Sequence, residues 1–198
     1  MSVDPSLQRR TGSGRETAPI ALADTREEDR RWRAMVAWVS QAYRAADGHA
    51  ARFARSKLLR DPVFRHVLRE GLIAPGATVL DVGCGQGLLA TCLAAAADAK
   101  RRGGWPPGWA PAPAAARVIG FDLSARQLQR ATVACQGATC LAQADMRTAV
   151  FPACDVVAFI DTLHYLPLAD QEDVLQRAVD ALRPGGALLL RVGDSSSP

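Results

Sequence analysis

The sequence predicts an α/β fold: a doubly wound, mostly parallel sheet preceded by a cap of helices. Short apolar runs between residues 77 and 192 alternate with segments of helical periodicity, the pattern of a parallel sheet with crossover helices. One of them, Thr78–Val82, breaks directly into Gly83-Cys84-Gly85-Gln86-Gly87 and then into Leu88-Leu89-Ala90-Thr91-Cys92-Leu93. Strand, glycine turn, then helix is how such sheets build a ligand pocket, because a backbone without Cβ atoms turns tightly and lets a ligand lie against it. At 198 residues the chain has room for one domain with a sizeable core.

Residues 1–25 are polar and rich in Ser, Thr, Gly and Arg, the composition of a disordered tail. A cap follows over residues 26–74. Trp32, Met35, Val36, Val39 and Tyr43 recur at three- and four-residue intervals, predicting an amphipathic helix over 27–46, started by Asp24 or Thr25 and ended by Asp47-Gly48. A second helix over 49–59 carries Phe53, Lys57 and Leu58. Asp61-Pro62 interrupts it, since the residue before proline is pushed out of helical geometry. A third, over 63–70, stops at Gly71.

The sheet domain spans 75–198. Its predicted strands are 77–82, 117–122, 139–143, 155–160 and 187–192, the last after the turn Arg183-Pro184-Gly185-Gly186. Its helices are 86–97, one capped by Ser124 with Leu128, Thr132 and Cys135 on one face, and 170–182. Residues 98–116, rich in proline and glycine and carrying Trp105 and Trp109, form an insertion longer than loops usually run. Two roles are open for it: a lid over an apolar substrate, or a segment packed on the sheet edge. The fifth strand is apolar on both faces, so it expects cover and an outer neighbour. Residues 193–198 supply neither, so the fold reads as truncated after this strand. A second copy of the chain or another partner is expected to protect it.

Composition narrows the function. The five cysteines are scattered without a C-x-x-C pair, which argues against a disulfide framework or a metal site and for reduced core thiols. No apolar run approaches a membrane span, and the N-terminus lacks a secretory signal, so a cytoplasmic protein is expected. Residues 1–70 hold 14 Lys/Arg against 9 Asp/Glu, whereas the rest of the chain is near neutral. A basic cap suits a solvated helix face or an acidic partner, such as a nucleic acid or a phosphopantetheine-bearing carrier.

The glycine spacing separates two chemistries. A dinucleotide site wants G-x-G-x-x-G, but position 88 is leucine, and the glycines stand at 83, 85 and 87. Asp122, in Phe121-Asp122-Leu123, ends the second strand where a carboxylate can accept two ribose hydroxyls. Asp145, in Ala144-Asp145-Met146-Arg147, follows the third strand, where an adenine amino group could be met.

This set, with 155–167 and Leu182-Arg183-Pro184-Gly185-Gly186, resembles the class I S-adenosylmethionine-dependent methyltransferases, whose fold is Rossmann-like. The resemblance covers residues 75–194 in order. It implies S-adenosyl-L-methionine as cofactor. Asp81, Gly83, Cys84, Gly85 and Gly87 would hold its methionine part and Asp122 its ribose. Leu123, Asp145 and Met146 would meet adenine, with Asp161 nearby. For Lys57, in the cap, two readings are open: a contact to the cofactor carboxylate, or a surface lysine. Two further strands, absent here, complete the family's seven-stranded sheet. A narrower likeness is to bacterial methyltransferases of aryl-polyene and related pigment pathways. It rests on Phe53-Ala54-Arg55-Ser56-Lys57-Leu58 before Asp61-Pro62, the Trp/Pro-rich insertion, Asp161-Thr162-Leu163-His164-Tyr165 and Leu190-Arg191-Val192-Gly193-Asp194. It implies secondary metabolism and a small aromatic, carrier-bound hydroxyphenyl acceptor.

His164 and Tyr165 follow the fourth strand at the carboxyl edge, where such sheets bind ligands. His164 is the candidate base, with a pocket-shaping role as its alternative, and Tyr165 the candidate acid or pocket wall. Two other readings compete: a nucleic-acid methyltransferase, favoured by the basic cap, and a non-catalytic cofactor-binding remnant or partner subunit. Amino-group nucleic-acid methyltransferases carry Asn/Asp-Pro-Pro-Tyr/Phe after the fourth strand. This chain has Asp161-Thr162-Leu163-His164, so nucleic acid is the weaker choice.

Overall fold

A computed structural model of the chain describes residues 18–135 and 139–193. Helix α1 (Ala18–Ala42) buries Trp32, Met35, Val36 and Val39, and Tyr43 just beyond it. On its other side Arg30 and Arg31 pair with Glu27. The helix begins earlier than its apolar stripe suggests, so Ala18 to Thr25, assigned to a tail from composition, is helical; residues 1–17 lie outside the described residues. Helix α2 (Gly48–Arg60) starts at Asp47, whose carboxylate accepts from the Ala50 N–H at 2.6 Å. It ends at Asp61, extended ahead of Pro62, and α3 (Val63–Arg69) follows.

The sheet holds five parallel strands in the order β3-β2-β1-β4-β5: β1 (Thr78–Val82), β2 (Arg117–Asp122), β3 (Thr139–Gln143), β4 (Cys154–Ile160) and β5 (Leu182–Arg191). Every residue of β1 is buried, as a central strand covered on both faces requires. From β1 the chain winds outward through α4 (Leu88–Arg101) and α5 (Ala125–Ala134) to β3. It then returns beside β1 as β4 and continues through α6 (Leu168–Ala181) to β5. That reversal between β1 and β4 opens a crevice at the carboxyl ends of the strands. One core cluster joins the cap and α4 to one sheet face; the other lies under α6.

Two predicted features change. Helix α4 runs on to Arg101, so the insertion is 102–116, and it lies against the cap. Trp109 is buried between Trp105, ring centroids 5.3 Å apart, and Trp32 of α1 at 6.3 Å. Arg31 donates to the Trp105 carbonyl at 2.6 Å and the Ala110 N–H donates to the Arg69 carbonyl at 2.9 Å. None of its residues lines the crevice, so it is no lid over it. Strand β5 begins at Leu182: Leu182 pairs with Cys154 and Ala187 with Val156, and the expected turn at 183–186 bulges between those pairs. Among the described residues no strand flanks the outer edge of β5, where Leu190 and Val192 are half exposed. No helix among them is long and apolar enough to cross a membrane.

Candidate cofactor-binding site

The crevice is a cavity of about 670 Å³, lined by the glycine turn, the ends of β1, β2 and β4, the segment after β3, and the cap. Every candidate cofactor-binding or catalytic residue named from the sequence lines it except Gly87 and His164. A Cβ at Gly87 would stand 2.5 Å from the Cys135 sulfur, so this glycine faces α5 and lets α4 approach it. His164 is exposed and stacks on Tyr165, ring centroids 4.3 Å apart, in the short 3₁₀ turn Leu163–Tyr165.

The turn and the second strand meet where the sequence required. The Gly85 N–H donates to Asp122 Oδ2 at 2.9 Å and the Ser124 N–H donates to Asp122 Oδ1 at 2.8 Å. Each oxygen keeps a lone pair for a ligand hydroxyl. Gly83, at φ +70°, permits an approach no other residue could: a Cβ there would lie 2.0 Å from Thr162 Oγ1. At Gly85 the same construction meets no atom within 4 Å, so the backbone there is open to a ligand.

Asp81 is buried, and among the described residues its carboxylate has no hydrogen bond or ion pair. Burial, with Asp122 adding repulsion, pushes its pKa up to about 7. An uncompensated carboxylate facing a cavity is a socket for a cation or a strong donor. Asp145 is the opposite case. The Arg147 guanidinium binds both its oxygens and the Arg147 backbone N–H donates to one of them, holding its pKa at about 2. Leu123, 65 % exposed, and Met146 complete that end.

The cap supplies Phe53, Lys57 and Phe64 to the other side. Phe53 and Tyr165, 46 % and 77 % exposed, put two aromatic rings at the cavity where solvent reaches it. Lys57 Nζ lies 2.5 Å from both Asp61 Oδ2 and Asp161 Oδ2, and Arg191 binds the same two carboxylates. Asp161 therefore spends its carboxylate on protein cations. A second tie runs from α1: the Tyr43 hydroxyl donates to the Gln86 carbonyl at 2.8 Å and contacts Thr91 Oγ1 at 3.0 Å. Sequence reasoning placed Tyr43 only in an apolar stripe; a buried tyrosine's need for a hydroxyl partner was the available signal.

These residues fit a sulfonium nucleoside that carries an amino acid. A bare buried carboxylate suits its cationic part, Asp122 suits a ribose, and Gly85 leaves space against the turn. Comparison with known proteins agrees. Residues 47–198 match the sequence profile of a family described as Methyltransferase domain. No curated protein matches the chain. Among solved structures, the complex of DhpI with SAH superposes with a TM-score of 0.53 at 20% identity, over 78% of this chain and 66% of that one. An S-adenosylmethionine-dependent methyltransferase from Mesorhizobium loti gives 0.44 at 26% identity, over 63% and 49%. One from Geobacter sulfurreducens, in complex with S-adenosyl-L-homocysteine, gives 0.40 at 22%, over 59% and 41%. The chain thus spans 41% to 66% of these proteins' lengths. With the family profile spanning most of the sequence and the five-stranded sheet in the class I order, the chain belongs to the methyltransferase-domain family.

Proposed function

We propose that the chain binds S-adenosyl-L-methionine in this cavity and directs its methyl group to a small aromatic acceptor. The observation that carries the reading is the bond from the Gly85 N–H to Asp122, which sets the glycine turn beside a hydroxyl-accepting carboxylate. Asp81 faces the cationic amino-acid part, Asp122 grips the ribose, and Leu123 and Met146 flank the adenine. Asp145, already holding Arg147, shapes that end. When bound, the cofactor supplies a methyl group on a good leaving group, a sulfonium. The protein's task is then alignment, which can account for about 7–11 kcal/mol of barrier lowering. Tyr165 is a wall of the acceptor side, and His164, outside the cavity, buttresses it by stacking rather than taking a proton.

Phe53, Phe64 and Tyr165 make the acceptor side aromatic, which favours a flat, apolar substrate. Arg52, Arg55 and Arg60 of α2 are exposed and make no ion pair among the described residues. They lie on the same helix as Phe53, which supports delivery of the acceptor on an acidic carrier. The narrower resemblance adds a role in secondary metabolism. The test is methyl transfer from labelled cofactor to hydroxyphenyl acids, offered free and carrier-bound, with RNA in parallel. Label in the hydroxyphenyl compound supports the reading; label in RNA alone, or in nothing, contradicts it.

A further inference from the structure

Four charged side chains close a ring between cap and sheet. Lys57 from α2 and Arg191 from the end of β5 each bind both Asp61, the C-cap of α2, and Asp161, just past β4. The ring is neutral, with Asp61 buried and the other three partly buried, so its contacts are screened less than those of fully exposed pairs. Asp61 also accepts from the Val63 N–H at 3.0 Å, fixing the start of α3. Burial alone would raise the pKa of Asp61. The hydrogen bonds from Lys57 and the Val63 N–H, with the charges of Lys57 and Arg191, outweigh that and hold it below the usual carboxylate range.

The ring reaches the cofactor site through two adjacent residues. Asp161 adopts φ +58°, a left-handed conformation that costs a non-glycine residue on the order of 1 kcal/mol and needs its surroundings to hold it. Lys57 grips its Oδ2 and Arg191 its Oδ1, while its N–H donates to the Arg191 carbonyl at 3.0 Å. The next residue, Thr162, is buried, and its side chain fills the space that a Cβ on Gly83 would need. The path of contacts is therefore Lys57 and Arg191, then Asp161, then Thr162, then the first glycine of the turn.

The geometry points to Lys57 as a positioning residue: with Arg191 it locks Asp161 so that Thr162 seats against Gly83, and it affects cofactor binding through them. This rests on the cofactor reading above. It departs from both sequence-based readings of Lys57, a direct contact to the cofactor carboxylate and a surface lysine.

The full chain is titrated with S-adenosylhomocysteine by calorimetry, as wild type, Lys57→Arg, Lys57→Met, Asp161→Asn and the double variant Lys57→Met/Asp161→Asn, each with its thermal midpoint. The expected result is binding by wild type, about tenfold weaker binding by Lys57→Met and by Asp161→Asn, and restoration to within about twofold by Lys57→Arg. The double variant binds no more weakly than either single one, because both remove the same lock. Wild-type affinity in Lys57→Met would overturn the proposal, even with a lowered midpoint. So would wild-type affinity in Asp161→Asn beside a weakened Lys57→Met, or losses that multiply in the double variant. If Lys57→Met does not fold, Asp161→Asn and Lys57→Arg decide: normal binding by the first, or loss in the second, overturns it. No binding by wild type itself would instead remove the cofactor reading on which the proposal stands.

Discussion

Asp81 is buried at the cavity wall and no cation among the described residues answers it, an arrangement that costs stability in the unliganded fold. A carboxyl whose pKa is 3.8 when free and about 7 when folded binds its proton more tightly in the native state. The contribution of Asp81 to stability therefore falls as pH rises between those values, the reverse of a paired carboxylate. Asp81→Asn should raise the thermal midpoint at pH 7.5 while weakening S-adenosylhomocysteine binding, and differential scanning calorimetry with titration reads both. In wild type, the affinity for the cationic cofactor should strengthen as pH rises from 6 to 8, as Asp81 loses its proton. A pH-independent affinity would contradict the role given to Asp81. The glycines divide in the same way. Gly83→Ala drives a methyl group into Thr162 and should cost about 3 kcal/mol or more, whereas Gly85→Ala, with open space at φ +55°, should cost about 1–2 kcal/mol. Urea denaturation distinguishes the two.

At the scale of elements, the cap is joined to the glycine turn by polar contacts that periodicity does not reveal. Removing the Tyr43 hydroxyl strands the Gln86 carbonyl, while Thr91 keeps its bond to the Gly87 carbonyl at 2.8 Å. Tyr43→Phe should therefore destabilise the fold by about 1–2 kcal/mol, measured by urea denaturation. The strands were readable because β1 and β4 are largely buried and mostly apolar, and the glycine turn because its composition admits few other structures. Helix α4 outran its predicted end because Asp98 to Arg101 continue helical chemistry, and the proline–glycine composition begins only after them. The insertion was ambiguous for a different reason: two tryptophans fit a lid or a buried patch, and only Trp32, far away in sequence, decides. The ion ring was hidden in the same sense, since Lys57 and Asp161 are 104 residues apart. The place of His164 after β4 put it at the carboxyl edge, but place along the chain does not say which way a ring faces, and it is exposed and outside the cavity lining.

The whole molecule brings residues far apart in sequence to one crevice, and its cap and sheet share one of the two core clusters. Ligand binding there should stabilise the entire described fold. Cofactor at 100 times its dissociation constant adds about 2.7 kcal/mol, which for a chain of this size raises the thermal midpoint by roughly 5–10 °C. Asp61 is one of the carboxylates, with Glu27, Asp47, Asp145 and Asp155, whose lowered pKa contributes stability at neutral pH that is lost as pH falls below about 4. The account turns on Asp122 and the glycine turn acting as one nucleoside cradle. Calorimetric titration of S-adenosylhomocysteine into wild type and Asp122→Ala tests that most directly. The account predicts saturable one-site binding by wild type and at least tenfold weaker binding by the variant; equal heats, or none from either, would contradict it.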